Sequence, residues 1–180
     1  MEELSVMWPA PEQVEAERFL LEPLSVDHAP EMVTVLADPS LYEFIGGEPP
    51  TLEGLVRRYV AQSVGRSKDG SEWWLNWVIR DITSGALVGV VQATVEGEMG
   101  KLSADIAWVV APEAQGRGVA TEATRAMIQW LQERGVRSFG AFVHPQHQAS
   151  MAVAKNQGLA PTSTIEDGEI RWELKIGDDR

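Results

Sequence analysis

The stretch from Val110 to Ala123 (V-A-P-E-A-Q-G-R-G-V-A-T-E-A) constrains this chain more than any other. An apolar, strand-like run from Asp105 to Val110 enters a polar loop holding Gly116 and Gly118, and that loop opens directly onto an amphipathic helix. A helix start presents backbone N–H groups without intrahelical partners, and its aligned peptide dipoles favour negative charge. Glycine lets backbone approach a ligand closely. Strand, glycine loop and helix start in this order form a cradle for phosphate. The strand that follows is expected to return parallel, by a right-handed crossover.

The flanking patterns agree with that expectation. Glu17 to Leu24 reads as a first strand closed by Pro23. A helix is expected from about His28 to Ala37, stopped by Asp38-Pro39. Thr51 is a good N-cap for a second helix carrying Leu52, Leu55, Val56, Tyr59 and Val60 on one face. Trp73 to Arg80, Ala86 to Val95 and Leu102 to Val110 read as an antiparallel meander, in which Trp73 and Trp77 share one face and Trp74 takes the other. After the loop, Val119, Ala123, Met127, Trp130 and Leu131 recur at helical spacing, and Gly135 is the stop. Val136 to Val143 is a fifth strand, Gln148 to Gln157 a short helix, and Pro161–Ile165 with Glu169–Ile176 a closing hairpin through Asp167-Gly168. The fold expected is α/β (mixed α+β): one domain over residues 17–180. Its central sheet is mixed and mostly antiparallel, with one parallel crossover between the fourth and fifth strands and about four flanking helices. Residues 1–16, rich in Glu and Pro, show no clean period and are expected as an extension ordered through Met7 and Trp8.

Composition removes several functions. The chain has no cysteine, which excludes disulfides, thiolate nucleophiles and cysteine-bound zinc. Net charge of −12 argues against a nucleic-acid partner and is compatible with a cationic substrate. The acidic Met1-Glu2-Glu3 start lacks a basic n-region, and no run approaches the ~20 apolar residues of a membrane span, so a cytoplasmic location without a membrane partner is expected. His144 and His147 are too few ligands for a site, and no metal is expected.

No Gly-Lys-Ser/Thr follows the loop and no third glycine stands at dinucleotide spacing, so neither familiar nucleotide motif applies. What stands here is Gln115-Gly116-Arg117-Gly118-Val119-Ala120, a Q-x-x-G-x-A pattern. Together with Leu20-Leu21-Glu22-Pro23-Leu24, Ile106-Ala107-Trp108, Ala149-Ser150, Val153-Ala154 and Gly158-Leu159, it resembles the GNAT family of acyl-CoA-dependent N-acyltransferases, in its RimJ/RimL-like branch. The resemblance runs from about Glu17 to about Ile176.

The resemblance implies a transferase, an acetyl-CoA-dependent N-acetyltransferase that moves an acetyl group directly to a primary amine. The acceptor stays open among a protein N-terminus, an aminoglycoside-like antibiotic, a polyamine and an amino acid, and a homodimer is admitted. Gln115, Gly116, Arg117, Gly118, Val119, Ala120 and Thr121 would bind the pyrophosphate of coenzyme A. The Arg117 side chain is either a further contact or a solvated charge. Trp108, Val109 and Val110 would pair with the pantetheine as an added strand does, with a nearby N–H facing the thioester oxygen. Asp105 would take a proton from the amine or else face solvent, and Glu166, Asp167, Glu169 and Glu173 are a second reservoir of bases. Many relatives carry a tyrosine where Ala154 stands; in the RimL-like branch a serine of this helix is its substitute, and Ser150 matches it, which implies a hydrogen bond to the leaving thiolate unless the hydroxyl serves only the helix start. His147 replaces an asparagine that contacts pantetheine. With the tyrosine missing, the alternative is a catalytically weak coenzyme A-binding sensor or scaffold.

Overall fold

The structure is a computed structural model that describes residues 10–98 and 100–176; Met7 and Trp8 lie outside those residues. The sheet begins at β1 (Val14–Glu15), which pairs antiparallel with β2 (Phe19–Pro23). Two residues carry no readable period, so this strand was invisible to patterning. The Trp77 indole N–H donates to the Glu12 carbonyl at 2.7 Å, tying the segment ahead of β1 to the core.

After β2 the chain makes a single 3-10 turn, Val26–His28, and only then α1 (Ala29–Val35). The helix starts one residue later than expected, where the His28 ring turns back and accepts the Ser25 N–H at 3.0 Å, and it ends two residues earlier. α2 (Leu52–Gln62) starts where expected, with the Thr51 hydroxyl accepting from the Gly54 N–H at 3.0 Å. β3 (Glu72–Asp81), β4 (Leu87–Glu96) and β5 (Leu102–Val110) form the meander. α3 (Val119–Glu133) crosses over to β6 (Val136–Val143), which runs parallel to β5. α4 (Gln148–Asn156) leads to the hairpin of β7 (Ala160–Glu166) and β8 (Glu169–Lys175). Asp167 and Gly168 both take positive φ, 49° and 79°, as a two-residue hairpin turn of the I′ kind demands.

Among the described residues, eight strands lie in the order β1-β2-β3-β4-β5-β6-β8-β7. Alternation along the strands sorts the core into two layers. Trp77, Leu75, Ile79, Val91 and Ile106 face α3 and α4, where Trp130, Met127 and Ala154 meet them. Val78 and Leu87 face Met32 of α1 with Leu55 and Tyr59 of α2. Trp73 packs on the first layer with Trp77, whereas Trp74 lines a groove on the second, as alternation requires.

β5 and β6 stop pairing at their midpoints. The last partners are Asp105 and Gly140, yet β5 stays joined to β4 as far as Val110 opposite Gly89. The sheet is therefore split along the C-terminal halves of its two parallel strands, the place where open α/β sheets bind ligands.

Candidate functional site

The cradle has the geometry its sequence requires. Gly116 (φ 79°) and Gly118 (φ 75°) both sit in the left-handed region, where glycine alone is comfortable. With the residues between them they turn successive N–H groups outward. Among the described residues, the N–H groups of Gly116, Arg117, Gly118, Val119, Ala120 and Thr121 find no protein acceptor; the first return bond of α3 is Glu122 N–H to the Gly118 carbonyl at 3.0 Å. Donors left open around one concavity make an anion-binding nest. The Gln115 side chain anchors the loop, its Nε2 donating to the Val110 carbonyl at 3.0 Å.

Patterning alone missed the role of Arg18. Its guanidinium donates to the Arg117 carbonyl at 2.9 Å and to Glu122 at 2.8 Å, and it lies against Gly118. Glu122 would otherwise place an uncompensated negative charge in the first turn of α3, beside the nest. Arg117 itself is exposed and makes no ion pair among the described residues.

The free edge of β5 faces the split. The Ala111 N–H donates to the Val88 carbonyl at 2.8 Å, so by ladder alternation Val109 turns its backbone toward β4. Trp108 and Val110 then turn their N–H groups into the gap. Gly89 permits this close register: a Cβ there would overlap the Val109 carbonyl oxygen. Because the peptide is trans, the Val110 N–H points opposite that carbonyl, away from β4. Val109 instead offers its side chain to a cavity on the α1/α2 face.

The residues expected to do chemistry are not all gathered there. Asp105 sits at the vertex of the split, but the Arg171 guanidinium donates to its carboxylate at 2.8 Å. Arg171 reaches across β6 only because Gly140 has no side chain to obstruct it, and it also holds Glu173 at 2.9 Å. This clasp closes the vertex and occupies the carboxylate that was to be a base. Glu169, at the start of β8 beside the C-terminal end of β6, is half-buried, and burial pushes its carboxyl above the ordinary glutamate range while nearby His144 opposes that shift.

Ser150 and His147 do meet. The Ser150 hydroxyl lies 3.4 Å from the His147 Nε2, and burial lowers the His147 pKa, keeping the ring neutral near pH 7. The Phe44 ring stacks on His147 at 4.6 Å and tilts against His144 at 5.0 Å, so the loop between α1 and α2 reaches across the split to the start of α4. Ala154 is fully buried in the core and presents nothing to the split. Among the described residues, no group of three or more His, Asp or Glu is arranged to hold a metal ion, and no helix is long and apolar enough to cross a membrane.

The cavity behind Val109 has a volume of about 130 Å³ and lies between the sheet and the α1–α2 segment. Tyr42, Arg58, Tyr59, Gln62, Asn76 and Gln92 supply its polar lining. It carries no carboxylate, so a cationic acceptor of the kind suggested by net charge finds no counter-charge there. A more open groove of about 260 Å³ continues from it through Gln62, Asn76 and Gln92 to Trp74.

A protein-family profile described as Acetyltransferase (GNAT) domain matches residues 18–160. No curated protein sequence matches the chain. Among solved structures, an acetyl transferase of Salmonella typhimurium that modifies the N-terminal serine of 50S ribosomal subunit protein L7/L12 superposes with a TM-score of 0.73 at 15% identity, covering 92% of this chain and 100% of that one. RimL, a ribosomal L7/L12 alpha-N-protein acetyltransferase in complex with coenzyme A, gives 0.74 at 15% identity over 92% and 98%. The microcin C7 self-immunity acetyltransferase MccE, in complex with acetyl-CoA and AMP, gives 0.73 at 15% identity over 89% and 93%. At these identities the structures share the fold with this chain.

Proposed function

The chain belongs to the GNAT acetyltransferase family, and from that premise we propose that it binds acetyl-CoA in the split sheet and transfers the acetyl group directly to a primary amine held in the α1/α2 cavity. The observation that carries this reading is the unbroken run of open N–H donors from Gly116 to Thr121, continuous with the free edge of β5. A pyrophosphate fits the nest, and an extended amide-bearing arm fits the edge as an added strand would.

Acetyl-CoA supplies an activated thioester. The chain's own groups divide the remaining work. The Val110 N–H donates to oxygen where negative charge develops, and it is held there by the tight Gly89–Val109 register. Trp108 offers its N–H and carbonyl to the arm. Glu169 takes over the role of base from Asp105, since its burial-raised carboxyl accepts a proton more readily than one clasped by Arg171. Ser150 donates a hydrogen bond toward the sulfur, and neutral His147 backs it through the Nε2 contact. Phe44 keeps that ring in place and helps exclude water.

Ala154, buried where relatives carry a tyrosine, keeps the binding-module reading in play. Calorimetric titration with coenzyme A, followed by thiol-release assays over an amine panel, separates the two. Coenzyme A binding with amine-dependent thiol release supports the enzyme. Tight binding without turnover of any amine, peptide or aminoglycoside supports the sensor or scaffold, and absence of binding refutes both.

A further inference from the structure

Four of the ten described arginines hold an acid. Arg18, Arg80, Arg134 and Arg171 each hold a carboxylate within 3.3 Å. Arg58 is exposed and, like Arg57, Arg66, Arg117, Arg125 and Arg137, has no carboxylate partner among the described residues, but it alone of these lines the α1/α2 cavity. It is also the one charged residue lining either the cavity or the groove beyond it.

Next to it in the sequence, Tyr59 is 2% exposed and lines the same cavity, and its hydroxyl has no hydrogen-bond partner. A buried hydroxyl without a partner costs stability and calls for an explanation, and at a cavity wall a bound ligand supplies one. Tyr42 does not serve it: the Tyr42 hydroxyl donates to the Leu36 carbonyl at 2.9 Å, and no hydrogen bond joins the two hydroxyls. One turn further along α2, the Gln62 Oε1 is buried and likewise open. The cavity therefore offers a cation and a neutral O–H donor on one helix, an open acceptor beside them, and Val109 of the split on the opposite wall.

We propose that the acceptor is a small amino-carboxylate, of the α-amino acid class, whose carboxylate is received by Arg58 and the Tyr59 hydroxyl. Its ammonium gives a proton to Glu169, the base assigned above, and the amine turns toward the β5 edge, with the Gln62 carbonyl oxygen accepting one of its N–H bonds. The volume of about 130 Å³ suits a molecule of that size, and its side chain extends along the groove toward Trp74. A polyamine or aminoglycoside would meet only the positive charge of Arg58. This proposal rests on the acetyltransferase reading and narrows it.

The test measures thiol release with acetyl-CoA for the standard α-amino acids, the corresponding α-amides, spermidine and an aminoglycoside. The best amino acid is expected to exceed its amide at least tenfold in kcat/KM. Arg58→Gln should lower kcat/KM about tenfold or more for the acid and leave the amide within about twofold, while Arg58→Lys restores part of the difference. Tyr59→Phe should raise KM for the acid several-fold with no loss of Tm, since it removes an unpartnered hydroxyl. Turnover of amides or polyamines equal to that of the acids, or selectivity unchanged in Arg58→Gln, overturns the proposal and leaves the enzyme reading standing. No turnover of any amine by protein that binds coenzyme A overturns both.

Discussion

Gly118→Val gives the sharpest test of the cradle. Gly118 holds φ 75° at the N-cap of α3, and a Cβ there would lie 3.3 Å from the Arg18 Nη2. A left-handed backbone costs an L-residue roughly 1–2 kcal/mol, and β-branching puts valine at the upper end. The loop has two responses. If it keeps its shape, the folded state is destabilised by that amount and Arg18 is pressed away from the Arg117 carbonyl. If φ relaxes to negative values, the N–H groups of Gly118 and Val119 rotate out of the nest. A hydrogen bond to a charged group is worth roughly 1.5–3 kcal/mol, so losing one raises the Kd for coenzyme A about 10- to 100-fold, at 1.4 kcal/mol per decade. Calorimetric titration measures the Kd, and circular dichroism with thermal melting shows whether the variant is folded. Gly116→Ala is the companion: its φ is 79° but a Cβ there meets nothing within 4 Å, so it tests strain without crowding. Gly118→Val that is folded and binds coenzyme A within twofold of the parent would refute the placement of the pyrophosphate.

Three other perturbations address the remaining parts of the site and the fold. Gly89→Ala places a Cβ on the Val109 carbonyl and should turn the Val110 N–H, lowering kcat about tenfold with a stability loss of roughly 1–3 kcal/mol; unchanged kcat would remove Val110 as the oxyanion donor. Glu169 acts as a base only when ionised, so kcat/KM should fall as pH drops through a value above the ordinary glutamate pKa of 4.5. Glu169→Gln should abolish that limb and cost about 100-fold, and an unaltered pH–rate profile would return the task to another group. Glu22 is held below the usual carboxylate range, first by its hydrogen bonds from Arg80 and then by that from His28. A lowered folded-state pKa stabilises above the unfolded value and is lost as pH falls through the folded one. Thermal melts of Glu22→Gln should therefore lie below the parent at neutral pH, by about 1 kcal/mol for a partly exposed pair, and converge with it in acid.

The features legible in the sequence are those set by near neighbours. Thr51 caps α2 because a hydroxyl three residues ahead of Gly54 can reach its N–H. Gly135 (φ 98°) ends α3, and Asp167-Gly168 turns the last hairpin, because few residues tolerate those dihedrals. The bounds of β5 and β6 and the cradle between them follow from apolar runs and two glycines, which is why the crossover and the phosphate nest were readable. The side chosen by Trp73, Trp74 and Trp77 follows from a period of two.

Tertiary structure decided which distant groups meet. Periodicity states that a face is buried and says nothing about what lies opposite it. Asp105 looked available as a base, and only the sheet order brings Arg171, 66 residues away, onto it across Gly140. Phe44 had no pattern to mark it, yet the fold lays its ring on His147. Arg58, Tyr59 and Gln62 read as ordinary residues of an amphipathic helix. They became a candidate specificity site when α2 packed over Asn76 and Gln92 and left a cation and a buried hydroxyl without partners. The cradle is built from consecutive residues, so the chain's own order specified it. The proposed acceptor site draws its lining from α2 and from strands β3, β4 and β5, and only their packing assembles it.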